Sequence, residues 1–365
     1  MDKDSEEDFV LFLIFVPQGG TRSMVEIDGS YLEGGGQILR TAAALSAVTK
    51  QPCHILNIRK CREKPGLSPQ HLLGLQALAQ LCYGRLEGDI LGSQEIKFYP
   101  GASYRDKIII DIPTAGSITL ILQTLIPLAL LISSPVKIVF NGGATDTFFS
   151  PTLDYCQGVF LKILEKMGIK AEVNVLKRGY YPEGGAKVET TIFPAKLKPL
   201  RLTERGKLNK ILALSGASEF LKDKKLAERQ LAGVREILGK LKLPAEEKVE
   251  YYHTQCPGSQ ICLAAVFEHT IIGTDGLGRL DKRAEDVGQE AALELLQEQK
   301  NQGCLDKHLA DQILPYLALA PGKSQVAVSE ITNHAKTNIW VIEKFLKGEF
   351  GIKDNLVIWE PSRLN

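Results

Sequence analysis

The chain has 365 residues, of which 44% are apolar and 24% charged, and its formal net charge is +1. That composition excludes a disordered or collagen-like polymer and suits an ordinary soluble protein long enough for two domains. With no global basic field, any contact with nucleic acid has to be local.

In chain order, the acidic stretch Asp2–Asp8 comes first, followed by the apolar run Phe9–Val16. Eight apolar residues are too few to span a bilayer, which takes about 20, and the acidic front lacks the positive start of a signal peptide. Residues 1–23 are therefore expected to be an extension outside the fold, with Met24 opening the first domain. A helix is expected over Gln37–Val48 and a strand over His54–Ile58. Ser68-Pro69 then opens a helix that ends near Tyr83-Gly84, because serine caps, proline suits the first turn and glycine follows the end. The pattern recurs: a helix at Ser117–Ile132, a strand at Val136–Phe140, and a helix from Ser150-Pro151 to Met167-Gly168. It recurs again with a helix at His308–Ala320, a strand at Gln325–Ser329 and a helix from about Thr337 to Lys347. Lys97–Tyr99 and Ile108–Asp111 are read as strands of the first unit, Ala171–Leu176 and Ala186–Ile192 of the second, and Leu356–Glu360 of the third. The apolar stretch Ile118–Ile132 contains Gln123 and Pro127 and reads as a buried helix.

Arg40 lies about 83 residues before Gln123, and Gln123 about 188 before Asp311, so a segment of about 105 residues interrupts the third unit. The fold expected is α/β (α+β): three repeated units of two helices on a four-stranded sheet, with a smaller α/β domain inserted in the third. Residues 24–198 and 304–365 would form the large domain and 199–303 the insert. The insert has its own expected helices (Leu226–Leu241, Arg283–Gln299) and strands (Leu212–Ser218, Ile261–Phe267).

The chemistry gathers in five motifs. Glu33-Gly34-Gly35-Gly36-Gln37-Ile38-Leu39-Arg40 runs a glycine turn into a helix, where free N–H groups and the helix dipole favour a phosphate. Arg59-Lys60-Cys61-Arg62-Glu63-Lys64 ends in the rigid turn Pro65-Gly66, and the guanidinium fork suits phosphate. The others are Arg178-Gly179-Tyr180-Tyr181-Pro182-Glu183-Gly184-Gly185, His308-Leu309-Ala310-Asp311-Gln312 and His334-Ala335-Lys336-Thr337-Asn338. Arg40, Gln123 and Asp311 occupy matching places in three apolar helices, and buried polar groups need partners, so they are expected to converge on one site. His334, expected just ahead of a helix and among polar neighbours, can serve as a covalent nucleophile toward phosphorus. His71 can point inward from the first turn after Ser68-Pro69. Glu33, the acid beside the glycine turn, is the candidate metal or nucleotide contact. Seven cysteines, an odd number without CxxC spacing, argue against a disulfide framework or a zinc site and fit a reducing compartment.

These motifs, in this order from about Val25 to Glu360, resemble the RNA 3′-terminal phosphate cyclase family. The resemblance implies three repeats with an insert. It also implies ATP-dependent conversion of an RNA 3′-phosphate to a 2′,3′-cyclic phosphate, through a histidine–AMP and then an RNA-adenylate intermediate, a ligase-type nucleotidyl transfer. His334 maps to the nucleophile. Glu33, Gln123, His308, Asp311 and Gln312 map to the nucleotide pocket, with Glu33 also toward a divalent cation (Mg2+ or Mn2+). Arg40, Arg59, Arg62 and Gln70 map to the groove for the RNA phosphate. The implied partner is RNA with a 3′-phosphate end, with no membrane and no obligate protein partner. The implied compartment is the cytoplasm, or the nucleus if the source is eukaryotic.

The chain departs from the family pattern in three places. Ala186 replaces the third glycine after Tyr181-Pro182, His308 stands where relatives often have a tyrosine near the adenine, and residues 1–23 have no counterpart. Three rival readings differ in class. A non-catalytic cyclase-like ribosome-biogenesis factor would lack the nucleophile that His334 retains. An enolpyruvyl transferase would share the repeats but form no histidine adduct. A repeat protein used only for protein contacts would not need the convergent polar set.

Overall fold

The structure is a computed structural model that describes residues 23–243 and 245–362; apart from Ser23, the expected extension lies outside them. The first unit contains β1 (Val25–Asp28), α1 (Gly36–Thr49), β2 (Cys53–Leu56), α2 (Pro69–Cys82), β3 (Arg85–Glu87) and β4 (Ile96–Tyr99). Its sheet order is β1-β2-β4-β3, with β1 and β2 parallel and the other pairs antiparallel.

The second unit repeats that topology with β5 (Lys107–Ser117), α3 (Ile118–Ala129), β6 (Val136–Ala144), a helix over 153–166 that we call α4, β7 (Ala171–Lys177) and β8 (Lys187–Ile192). The sheet order is β5-β6-β8-β7, again with a parallel first pair. In the third unit β9 (Arg201–Leu202) is separated from its sheet partners by a long excursion. The excursion comprises β10 (Leu208–Ser218), α5 (Leu226–Lys240), β11 (Ala245–Tyr252), β12 (Ser259–Phe267), β13 (Ile271–Leu277) and α6 (Ala284–Lys300). The unit then resumes with α7 (Lys307–Leu319), β14 (Ser324–Ala327), α8 (Asn333–Phe345), β15 (Gly348–Lys353) and β16 (Leu356–Pro361). Its sheet order is β15-β16-β14-β9, and β9 runs parallel to β14. The excursion forms a sheet of different order, β11-β10-β12-β13.

The three repeats share one hydrophobic core, while the excursion has a core of its own around Ile211, Leu231, Ile261, Val287 and Leu295. The fold is therefore a repeated-unit α/β architecture, with four four-stranded sheets and eight α-helices among the described residues. No helix among the described residues is long and apolar enough to cross a membrane.

Several elements differ from expectation, each for a physical reason. Ile108–Asp111 lies within β5, which opens the second unit rather than finishing the first. The short strands β1 and β9 carry too few residues for a periodic signal. The α4 cap is Thr152, whose side chain accepts from the Tyr155 N–H, so this helix starts at Leu153, two residues after Pro151. Thr332 likewise caps α8 and accepts from the Ala335 N–H. The last helix thus starts four residues before Thr337, and His334 lies inside its first turn rather than ahead of it.

Candidate active site

Three helices of like position face one another across the core: α1 touches α3 and α8, and α3 touches α7. Where they meet is a cavity of about 40 Å³ lined by Arg40, Gln123, Asp311 and Gln312, together with Thr41 and Asn338. The three polar residues at equivalent helical positions are thereby brought together. Four residues beyond each stand Ala44, Pro127 and Pro315, and all three line the same cavity.

The prolines shape the site. A helical proline has no N–H for the carbonyl four residues back, so Pro315 leaves the Asp311 carbonyl without its usual donor. Asn338 Nδ2 donates to that carbonyl at 3.0 Å, and Thr41 Oγ1 donates to Asn338 Oδ1 at 2.8 Å. One side chain from α8 and one from α1 therefore fix the turn that carries Asp311.

His334 sits beside this knot, its backbone carbonyl accepting from Gln37 Nε2 at 2.9 Å. Its Nε2 lies 2.6 Å from Glu33 Oε2 and its Nδ1 lies 3.4 Å from Asp311 Oδ2. The hydrogen bond to Asp311 and the nearby charges of Asp311 and Glu33 raise the imidazole pKa above its ordinary value, against partial burial. The imidazole, 45% exposed, opens onto a cavity of about 460 Å³ lined by Glu33, Lys307, His308, Asp311, Glu330 and His334. His308 is gripped from outside the repeats: its Nε2 is 3.7 Å from Glu294 Oε1 on α6, and Lys307 Nζ is 2.7 Å from the same oxygen. Burial is the largest influence on His308 and opposes its charged form, but the hydrogen bond to Glu294 together with the charges of Asp306 and Glu294 outweighs it and raises the pKa.

On the other side of Glu33 lies a basic group. Arg62 Nη2 is 3.9 Å from Glu33 Oε2. The loop carrying Arg59 and Arg62 is closed by its own backbone: Gly66 N–H donates to the Ile58 carbonyl and Leu67 N–H to the Ser93 carbonyl. Arg59 Nη1 in turn donates to the Gly66 carbonyl at 3.1 Å. Arg40, Gln70 and His71 line a further small hollow. Burial lowers the Arg40 pKa to about 10 against the pull of Asp311, so it stays cationic at neutral pH. Burial, with Arg40 and Arg59 nearby, drives His71 down to about 3, so its ring is neutral. His71 Nδ1 lies 2.9 Å from Ser68 Oγ, and its Nε2 faces Gly36 so closely that any Cβ there would collide with it. The glycine turn is thus required twice, by the close approach at Gly36 and by the positive φ of 55° at Gly34.

Every residue singled out for the site therefore lies in one contiguous region around the α1 N-terminus. The sequence did not point to Thr41 or Pro315, and it gave no role to Gln37 within its motif or to the bond that Asn338 makes. The Pro at i+4 shared by α3 and α7 was the available signal.

The motif from Arg178 to Gly185 is set apart from this site. Arg178, 5% exposed, donates to Asp146 at 3.0 Å and also to Asp154, and Gln260 of β12 donates to Asp154 at 2.9 Å. Tyr180 Oη completes the network by donating to Gln260 Oε1 at 2.5 Å. This buried network binds the second unit to the excursion.

The comparisons with known proteins agree with the geometry. The family model described as RNA 3′-terminal phosphate cyclase matches residues 31–352. The chain is 45% identical over 331 residues to the RNA 3′-terminal phosphate cyclase of Pyrococcus furiosus, covering 90% of this chain and 95% of that one. Against the enzymes of the same name from Thermococcus kodakarensis and Sulfurisphaera tokodaii it is 44% and 42% identical, covering 90% and 88% of this chain and 94% of each of the others. The chain belongs to the RNA 3′-terminal phosphate cyclase family.

Proposed function

We propose that this protein is an ATP-dependent, ligase-type enzyme that converts an RNA 3′-terminal phosphate into a 2′,3′-cyclic phosphate through His334. The observation that carries the reading is an imidazole held between Glu33 and Asp311 at the mouth of a cavity, with Arg62 of the basic loop 3.9 Å from the same Glu33 carboxylate. Asp311 holds the Nδ1 proton and thereby aims Nε2 outward. Nε2 would attack the α-phosphorus of ATP, forming an N–P bond as the bond to pyrophosphate breaks. An oxygen of the RNA 3′-phosphate then takes AMP from the imidazole. The adjacent O2′, losing its proton, attacks the 3′-phosphorus and expels AMP.

The residues present fit the nucleotide. The 460 Å³ cavity is large enough for part of one, and in the smaller cavity that shares Asp311 with it Gln312 Oε1 is buried without a hydrogen-bond partner, an acceptor available to an amino or hydroxyl donor. Glu33, with Gln123, His308, Asp311 and Gln312, would hold it. Among the described residues no three His, Cys, Asp or Glu side chains form a metal cage. A single carboxylate suits Mg2+ or Mn2+, which takes its other ligands from nucleotide phosphates and water. Glu33 would hold that cation, which when bound neutralises charge on the departing pyrophosphate. Arg40, Arg59, Arg62 and Gln70, with the neutral His71, would receive the RNA phosphate. Seven cysteines without a disulfide support a reducing compartment, the cytoplasm.

The test is incubation with α-labelled ATP and a divalent cation, then with an oligonucleotide bearing a 3′-phosphate. An acid-labile, alkali-stable protein label, absent from His334→Ala, and an RNA end resistant to phosphatase are expected. No label from the wild-type protein would overturn the reading in favour of a non-catalytic binding protein.

A further inference from the structure

The turn that carries Glu33 also carries a ring with no part in the reaction above. Tyr31 stacks on Trp340 with ring centroids 4.2 Å apart and planes 15° apart. The two come from opposite ends of the chain, Tyr31 two residues before Glu33 and Trp340 six residues after His334. Six residues of helix advance about 9 Å along the axis, on the order of one or two nucleotides from the nucleophile.

Although one face of Tyr31 is against Trp340, the residue is 36% exposed, and its neighbour Leu32 is 51% exposed. The surroundings are cationic. Lys344 Nζ is 5.6 Å from the Trp340 ring centroid, Lys336 is exposed on the same helix, and Arg62 borders Glu33. An exposed tyrosine stacked on a half-buried tryptophan, interleaved with lysine and arginine, is what a single-stranded nucleic acid uses: bases on the rings, phosphates on the cations.

We propose that Tyr31 and Trp340 form a stacking platform for one of the last two bases of the RNA whose 3′-phosphate enters the site. This rests on the cyclase reading of His334. The platform accepts any base, because every base offers a π-face. It supplies what a phosphate pocket alone lacks, a way to distinguish an RNA end from inorganic phosphate or a small phosphomonoester.

The experiment measures binding of a 5′-fluorescent pentanucleotide with a 3′-phosphate to the full chain, without ATP. Tyr31→Ala should bind about tenfold more weakly, the lower part of the range for one base–aromatic stack. Tyr31→Phe should restore binding, with an unchanged melting temperature showing that both variants fold. An abasic residue at one of the last two positions should cost the wild type the same factor and cost Tyr31→Ala nothing more. The chain has two tryptophans and Trp359 is fully buried, so a change in tryptophan emission on adding RNA reports Trp340. Equal binding by Tyr31→Ala, or an abasic loss that adds to it, overturns the platform while leaving wild-type labelling by ATP intact. Absence of both labelling and RNA binding in the wild type overturns the cyclase reading and the platform together.

Discussion

At the scale of single residues, the site is governed by who holds His334. Its raised pKa means that the imidazole stays protonated above the pH at which a free histidine deprotonates, and a protonated ring cannot attack phosphorus. Formation of the label from ATP should therefore climb with pH through a midpoint above the ordinary histidine value. Removing the charge in Asp311→Asn takes away the largest cause of that shift, so the midpoint should move down while the maximal rate also falls. A pH profile of single-turnover labelling reads both. Gly36→Ala puts a methyl group where His71 Nε2 now lies. That variant should lose affinity for 3′-phosphorylated RNA by an order of magnitude or more, measurable by direct binding, because the ring must leave the group formed with Arg40 and Gln70.

At the scale of elements, the Arg178 network shows how an apparently functional motif can be structural. Arg178→Ala would leave Asp146 and Asp154 buried without their cation, a change of about 3–5 kcal/mol. It should lower the melting temperature markedly and loosen the excursion from the second unit; thermal unfolding and proteolysis within residues 203–303 would show it. Helix starts marked by Ser68-Pro69 and by glycine turns were legible, since a proline in the first turn and a glycine just before it are written in adjacent residues, although the Ser68 hydroxyl pairs with His71 rather than capping the helix. The start of α8 was not, because Thr332 is a cap only once Asn333 and His334 are known to be helical. The convergence of Arg40, Gln123 and Asp311 was legible from their spacing. The Asn338–Asp311 bond was not, because it depends on a carbonyl that Pro315 leaves free in three dimensions. Strands as short as β1 and β9 take their conformation from the neighbour they pair with, which no local pattern records.

At the scale of the whole molecule, a net charge of +1 limits how the protein can hold RNA. Binding should rest on the arginines at the site and a few flanking lysines. The slope of log affinity against log salt should then be on the order of −2, about 0.7 for each of about three phosphate contacts on a single strand. A titration across salt concentrations measures it directly, and a much steeper slope would require a basic surface away from Arg40, Arg59 and Arg62.

The placement of the excursion has a consequence for how the chain is made. Arg201 of β9 pairs with Gln325 of β14, across on the order of 120 residues, while the first two units pair their opening strands over about 30. On a ribosome the first two units can close early, but β9 must wait until the entire excursion has emerged. His334 arrives only after β14, in the last unit to close, so the nucleophile reaches Glu33 and Asp311 only once nearly the whole chain is present. A nascent or truncated chain that ends before α8 can hold Glu33, Arg40, Arg59 and Gln123 yet lacks His334, so under the proposed mechanism the order of synthesis withholds the chemistry until the fold is complete.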